Sequence, residues 1–166
     1  MAAALLLLDA VASSALWPRV VLPADYRLGV GLTGASGALS VASLGLAAPL
    51  ALTLGAVGLL LVNRARVARF VFDDEALEIM TERENGELVP TGPNFAVGGQ
   101  NRWRYDQIKE WQFFPTADLP ALLFFREASG QAHLFPALAD PAELRRMFAE
   151  RVGADRESSE SFPDLR

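Results

Sequence analysis

The pattern of apolar and charged positions divides the chain into a long apolar run and an alternating second part. About thirty-five residues, from Leu28 to Val62, include no charged side chain. One helix crosses the roughly 30 Å hydrocarbon core of a bilayer with about 20 apolar residues, so the run is too long for one span and short for two. Near its middle, Gly45 frees the backbone to turn and Pro49 lacks the amide donor that a helix interior needs. The pattern predicts a transmembrane helical hairpin over residues 28–63. Its arms run from Leu28 to Leu46 and from Leu50 to Val62.

Positive charges flank the apolar run on both sides. Arg19 and Arg27 precede it, and Arg64, Arg66 and Arg69 follow it. Loops on the cytoplasmic side of a membrane collect Lys and Arg, so a hairpin places both clusters on one side whereas a single span would not. A basic side chain near an anionic membrane surface contributes about 1 kcal/mol. We therefore expect four arginines to meet lipid headgroups, namely Arg27, Arg64, Arg66 and Arg69.

Small residues recur at helical spacing on both predicted arms. Helices associate in lipid through such positions, because a missing or minimal side chain lets two backbones approach closely. One interpretation is that the two stripes close the hairpin on itself. The other is that one stripe docks on another membrane protein. The stripe on the first arm is Gly34, Ala38 and Ala42, and the stripe on the second is Ala47, Ala51 and Gly55.

After Arg69 the apolar positions alternate, which is typical of short β-strands. Phe70 and Phe72 share one face of the first such segment. Asn85 and Gly86 favour a hairpin turn because both residues tolerate positive φ. Residues 90–99, rich in proline and glycine, indicate a longer loop. The sequence predicts about six or seven antiparallel strands within residues 67–152.

One amphipathic helix is predicted after these strands. Asp140 is placed to cap it, and Pro141 fits the first helical position. An apolar stripe lets the helix close the open end of a small barrel. Together the elements predict an α+β membrane protein, in which the transmembrane hairpin precedes a pleckstrin-homology-like antiparallel β-roll or barrel with a C-terminal capping helix. The stripe is Leu144, Met147, Phe148 and Val152.

The two ends of the chain are less regular. Residues 1–27 begin with an apolar run, and the spacing of Ser13 and Ala15 is that of a signal-peptide cleavage site. However, Asp9 interrupts the apolar run and no positive segment precedes it. A helix lying in the membrane interface, with Trp17 at headgroup level, fits as well. Residues 153–166 are polar and short of apolar anchors, which predicts a disordered tail.

The last predicted strands hold most of the aromatic residues. Because side chains alternate between the two faces of a strand, neighbours such as Phe113 and Phe114 cannot both face a core unless the strand is bulged or covered. Either the C-terminal helix or the loop at residues 90–99 covers the outward members, or they form an exposed apolar patch that meets a partner or the membrane. The candidate partner surface is Trp103, Trp111, Phe114 and Phe125.

The composition argues against catalysis and nucleic-acid binding. The chain has no cysteine and one histidine, His133, which excludes the usual zinc ligand sets. The net charge is -5, and the acidic side chains concentrate after Arg69, where they would repel a phosphate backbone. We expect a protein that is not an enzyme and has no cofactor, metal, nucleic-acid partner or small-molecule substrate. The expected partners are the bilayer and a larger membrane protein complex.

Three segments carry a family resemblance. They are VGGQNRWRYDQIKEWQFFP at residues 97–115, LPALLFFRE at residues 119–127 and HLFPALADPAEL at residues 133–144. These segments resemble a family of unknown function found in cyanobacteria and chloroplasts, built as a membrane hairpin followed by such a roll. The resemblance implies an integral protein of the thylakoid or plasma membrane, with its soluble domain on the cytoplasmic or stromal side.

Two functions follow from this sequence analysis. The first is a non-enzymatic, membrane-anchored adaptor or assembly factor that acts on a membrane protein complex, with photosystem biogenesis as the role that the resemblance implies. The alternative is a module that senses lipid headgroups through the flanking arginines. An enzyme is the third class, which the missing pairs of nucleophile and base disfavour.

Overall fold

The computed structural model describes residues 17–92, 101–116 and 120–158. The fold is α+β, with a packed pair of helices, two antiparallel sheets and a C-terminal helix of 16 residues. The predicted α+β class is confirmed at this level. The first 16 residues, most of the loop at residues 90–99 and the end of the predicted tail lie outside the described residues.

Most connections between the described elements are short. The elements are β1 (Val20–Val21), α1 (Arg27–Ala42), α2 (Ala48–Val67), β2 (Ala68–Phe72), β3 (Ala76–Glu82), β4 (Leu88–Pro90), β5 (Arg102–Arg104), a 3-10 turn (Tyr105–Gln107), β6 (Ile108–Pro115), β7 (Pro120–Glu127), β8 (Ala132–Pro136) and α3 (Pro141–Phe148). The C-terminal helix starts as α3 and continues through one π-helical turn, Ala149–Gly153, and one 3-10 turn, Ala154–Arg156.

The first sheet is built around β3. Its strand order is β1-β2-β3-β4, and β5 pairs with β3 beside β4 on the same edge. The register places Phe70 opposite Ile79 and Leu77 opposite Trp103. The second sheet has the order β6-β7-β8. All these pairings are antiparallel.

A single aromatic core joins the two sheets and the C-terminal helix. The ring centroids of Trp103 in the first sheet and Phe125 in the second are 5.2 Å apart. Phe148 of α3 approaches from one end, with its ring centroid 5.8 Å from that of Phe72 and 5.5 Å from that of Trp111. The helix therefore packs its apolar face, including Leu144 and Met147, onto both sheets. Its predicted packing face is confirmed.

Local turn and cap chemistry matches the sequence expectation at two places. The turn between β3 and β4 contains Gly86 at a φ of 81°, a conformation that glycine adopts without the steric cost of a side chain. At the start of α3, the Asp140 carboxylate accepts a hydrogen bond of 3.0 Å from the Glu143 amide, and Pro141 occupies the first turn. The predicted β-hairpin turn at Asn85 and Gly86 and the predicted cap at the start of α3 are both confirmed.

The segment just before α1 pairs with the first sheet. Residues 17–26 contain no helix; they run along the sheets in extended conformation instead, and β1 pairs with β2. Leu22 is buried in the core, and the Asp25 amide donates to the Leu138 carbonyl at 2.9 Å. The interfacial helix predicted within residues 1–27 therefore does not extend over residues 17–26, and residues 1–16 lie outside the described residues.

The tail also begins later than predicted. The 3-10 turn follows Gly153, and the Trp111 indole donates to the Gly153 carbonyl at 2.9 Å. Arg145 of α3 pairs with Glu157 at 3.1 Å. These contacts order residues 153–158, so the predicted disordered tail is wrong for this part of residues 153–166.

Candidate functional site

The outward surface of the α1–α2 hairpin is largely apolar. Leu44 and Leu46 in the connecting turn are 92% and 91% exposed. Soluble monomers rarely expose contiguous apolar patches of this extent, and such surfaces mark contacts with membranes or partners. The large exposed apolar side chains of the hairpin are Val30, Val41, Leu44, Leu46, Leu50, Leu52, Val57, Leu59, Leu60 and Val67.

The two arms of the hairpin differ in length. Within the described ranges, α2 is long and apolar enough to cross a membrane by length and composition, whereas the 16-residue α1 is not counted as a span. The chain turns at residues 43–47, earlier than predicted, and Pro49 lies in the first turn of α2. Proline is tolerated there because the first amides of a helix have no intrahelical acceptor.

Two glycines allow the arms to cross closely near the base of the hairpin. A Cβ atom placed on Gly29 would lie 2.7 Å from the Val62 amide nitrogen, and one on Gly58 would lie 2.7 Å from the Thr33 amide nitrogen. Further along, the Ser36 hydroxyl donates to the Ala51 carbonyl at 2.7 Å. Close backbone packing and an interhelical hydrogen bond thus hold the arms together.

The predicted small-residue stripes fall on different surfaces. On α2, Ala51 is buried, and a Cβ atom on Gly55 would lie 2.8 Å from the Ser36 hydroxyl oxygen, so both residues belong to the interface between the arms. Ala47 lies half-buried in the turn. On α1, by contrast, Gly34, Ala38 and Ala42 are exposed on the outside. The interpretation that this first stripe closes the hairpin is wrong, because Gly29, Thr33 and Ser36 provide the contact instead.

Two of the four arginines predicted to meet headgroups are held by the protein. Arg69 pairs with Glu82 and donates to the Ala65 carbonyl at 2.9 Å, near the end of α2. Arg27 pairs with Asp25 at 2.6 Å and with Asp140 at 3.4 Å. These partners leave Arg27 and Arg69 less available to a lipid phosphate. They join the base of the hairpin to the sheets and to α3.

Arg64 and Arg66 are placed differently. Both are exposed on the last turns of α2, and no ion-pair partner occurs for either among residues 17–92, 101–116 and 120–158. Arginines at this end of a helix also face the negative end of its dipole. Of the four arginines, these two are therefore free to bind an anionic group.

A carboxylate is buried where the hairpin enters the sheets. Asp25 precedes α1 and accepts hydrogen bonds of 2.7 Å from the amide and from the guanidinium of Arg27. Burial raises the pKa of this carboxyl, but the hydrogen bonds from Arg27 lower it further than burial raises it, so its pKa lies below the ordinary value. Asp25 therefore stays ionised and holds Arg27 in place.

A groove lies beside the base of α2. Its volume is about 630 Å³, and Leu60, Leu61 and Arg64 of α2 form one wall. Ile79, Phe135 and Leu138 contribute to the other wall, from the two sheets and the loop that follows them. The lining is largely apolar and continues the apolar surface of the hairpin, with the Arg64 guanidinium beside it.

The predicted aromatic partner surface is buried. Trp103 and Phe125 lie in the core, and Trp111 is enclosed by the C-terminal helix. Phe114 lies on the opposite face of the second sheet beside Phe124, and both are also buried. The prediction of an exposed aromatic patch is therefore wrong. The C-terminal helix and the facing sheets cover Trp103, Trp111 and Phe125. Phe114 is buried as well, because both faces of β6 are covered where it lies.

A family model settles which family the chain belongs to. The model described as Protein of unknown function (DUF3119) matches residues 20–153. The chain belongs to the DUF3119 family. No curated protein and no solved structure matches it.

The DUF3119 match covers the hairpin and both sheets together. It begins at β1 and ends at the last residue of the π-helical turn. The family unit therefore includes the extended segment before α1, which the sequence analysis placed outside the β domain. The contact residues Gly29, Thr33, Ser36 and Gly58 also lie within it. The spacing of Gly29 and Thr33 could have revealed this second small-residue face on α1.

Proposed function

We propose that this DUF3119 protein is a non-enzymatic, membrane-anchored adaptor or assembly factor that acts on a membrane protein complex. One observation carries the proposal: the hairpin exposes large apolar side chains on both helices and in its turn. Transfer of one such side chain out of water is worth about 1.5–3 kcal/mol. The hydrocarbon core of a bilayer would cover this whole apolar surface. The arginines at the base of the hairpin then indicate the cytoplasmic or stromal side of the bilayer.

The partner is expected inside the membrane. The face formed by Gly34, Ala38 and Ala42 is not used to close the hairpin and points outward. A helix of another protein can approach such a face closely, because only hydrogen atoms and methyl groups separate the backbones. This free face supports the adaptor proposal over a hairpin that serves only as an anchor.

The location and the fold of the soluble part belong to the same proposal. We take residues 67–152, extended by β1 and the end of the C-terminal helix, as a pleckstrin-homology-like module. Its support is the order of two facing antiparallel sheets followed by a closing helix. The resemblance noted from the sequence supports a thylakoid or plasma membrane and a role in photosystem assembly.

A native gel of mildly solubilised membranes tests the adaptor function. Ala38→Leu adds bulk to the free face of α1, whereas Ala56→Leu adds the same bulk to an exposed position of α2. We expect the wild type and Ala56→Leu to migrate with a larger complex and Ala38→Leu to migrate alone. If the wild type runs alone in the mildest detergents, or if both variants stay with the complex, the proposed docking face is contradicted.

The alternative function is the sensing of anionic lipid headgroups. Arg64 and Arg66 support it because they are exposed and unpaired within the described chain, and the apolar groove lies beside Arg64. The native gel separates the two functions, because lipid sensing requires no larger protein complex.

A further inference from the structure

The hairpin turn has an unusual composition for a segment between two helices. Residues 43–47 read Ser-Leu-Gly-Leu-Ala, and the two leucines are almost fully exposed. The whole run from Leu28 to Val62 contains no Lys, Arg, Trp or Tyr. These four residue types are the ones that anchor a span at the opposite membrane interface. Nothing in the turn is suited to a headgroup layer.

The charge-free parts of the arms are also short for a complete crossing, although α2 as a whole is long enough. The charge-free part of α1 after Arg27 and that of α2 before Arg64 are each about 22–24 Å long, at about 1.5 Å per residue. The hydrocarbon core is roughly 30 Å thick. When the arginines lie at one surface, both arms therefore end several Å before the opposite surface, and any tilt of the arms makes them end earlier.

The amide groups of the turn find their acceptors within the protein. The amides of Ser43, Leu44, Gly45 and Leu46 donate to carbonyl oxygens at 2.9–3.3 Å. The Ala47 amide donates to the Ser43 hydroxyl at 3.2 Å, and the Ala48 amide donates to the Gly45 carbonyl at 3.0 Å. In hydrocarbon a backbone group must find its partner within the protein, whereas at an aqueous surface water supplies one. Every amide from residue 43 to residue 48 has an acceptor within the protein, as an amide in hydrocarbon requires.

One residue of the turn is strained in a way that points to lipid. Leu44 has a φ of 49°, in the left-handed region that glycine and asparagine adopt most readily. In water, glycine or asparagine would form this turn without exposing an apolar side chain. A leucine here costs conformational energy, and it is favourable when its side chain is surrounded by hydrocarbon.

We infer that the hairpin is a re-entrant anchor, which enters and leaves the bilayer through the same face and keeps the turn at residues 43–47 within the hydrocarbon core. This inference rests on the proposed membrane anchoring and goes further, because it excludes an exposed loop on the opposite side. The protein then offers partners only one aqueous surface, and docking on the far side of the membrane does not occur.

Spin-label accessibility tests the depth of the turn. The chain has no cysteine, so single substitutions label one site each in the full-length protein reconstituted into phosphatidylcholine and phosphatidylglycerol vesicles. Leu44→Cys and Leu46→Cys report the turn, Leu52→Cys reports the arm, and Glu84→Cys reports an exposed turn of the first sheet. A water-soluble nickel chelate is present on both sides of the bilayer, and oxygen serves as the apolar relaxant.

We expect both turn labels to be several-fold less accessible to nickel than Glu84→Cys, and as accessible to oxygen as Leu52→Cys. Nickel access at both turn positions with protection at Leu52→Cys would overturn the re-entrant anchor and leave membrane anchoring intact. Nickel access at Leu52→Cys as well would overturn both. The two turn positions guard against a single variant that perturbs the fold.

Discussion

Gly29 and Gly58 determine how closely the arms of the hairpin pack. A Cβ atom added to either glycine would lie 2.7 Å from a backbone nitrogen of the opposite helix, which is closer than real Cβ atoms approach. Backbone atoms cannot move aside as a flexible side chain does. The two positions therefore act through shape alone, and a single methyl group is enough to disturb them.

We predict that Gly58→Ala destabilises the hairpin by about 1–3 kcal/mol, because the added methyl group forces the arms apart. Thermal unfolding in mild detergent measures the effect. Gly37→Ala is the matched control, since open space surrounds Gly37 on the same hairpin. Equal unfolding temperatures for the two variants would show that the arms are not packed in this way.

Asp73 ties the turn between β2 and β3 to β5. Its carboxylate accepts hydrogen bonds from the amides of Glu75 and Ala76 at 2.9 and 2.8 Å and pairs with Arg102. Burial raises the pKa of this carboxyl, but the hydrogen bonds from Arg102 and the two amides lower it further than burial raises it. Its pKa is thus below the ordinary value in the folded protein.

This shift predicts a dependence of stability on pH. A lowered carboxyl pKa stabilises the fold above the unfolded value of about 3.9, and the contribution is lost as pH falls towards the folded value. Between about pH 5 and pH 2, the wild type should lose more unfolding free energy than Asp73→Asn. Glu84→Gln, at an exposed position, should follow the wild type. Parallel curves for the wild type and Asp73→Asn would refute the role of Asp73.

At the scale of elements, the sequence reveals the hairpin but not its inner face. Charge and hydropathy alone predict two arms with a turn between them. Two faces of α1 carry small residues, however, and the inner one includes the polar residues Thr33 and Ser36. A search for glycine and alanine alone selects the outer face. Only the packed helix pair shows that hydroxyls are accommodated by hydrogen bonds to backbone carbonyls.

The aromatic strands show a similar limit. Alternation between the two faces holds in β5, where Trp103 is buried and Arg102 and Arg104 are exposed. It fails for β6, where Phe113 and Phe114 are both buried on opposite faces. An apolar pattern with a period of two is expected only when one face of the strand meets water, whereas both faces of β6 are covered here. Which distant segment covers a face depends on tertiary packing and cannot be read from a local pattern.

At the scale of the whole molecule, the hairpin and the sheets form one connected unit. α2 runs directly into β2, and Ala65 of α2 is part of the core. Arg151 of the C-terminal helix donates to the Pro18 carbonyl at 3.1 Å and lies 4.3 Å from the ring centre of Trp17. The sheets, the hairpin and the segment before α1 are therefore held together by contacts at both ends of the described chain.

Extraction of native membranes with alkaline carbonate tests membrane anchoring most directly. This treatment releases proteins that are held at the surface by charge and leaves those held by buried apolar surface. We predict that the full-length protein stays in the membrane pellet, together with a variant in which Arg64 and Arg66 are both replaced by Gln. Release of the wild-type protein into the supernatant would contradict the account.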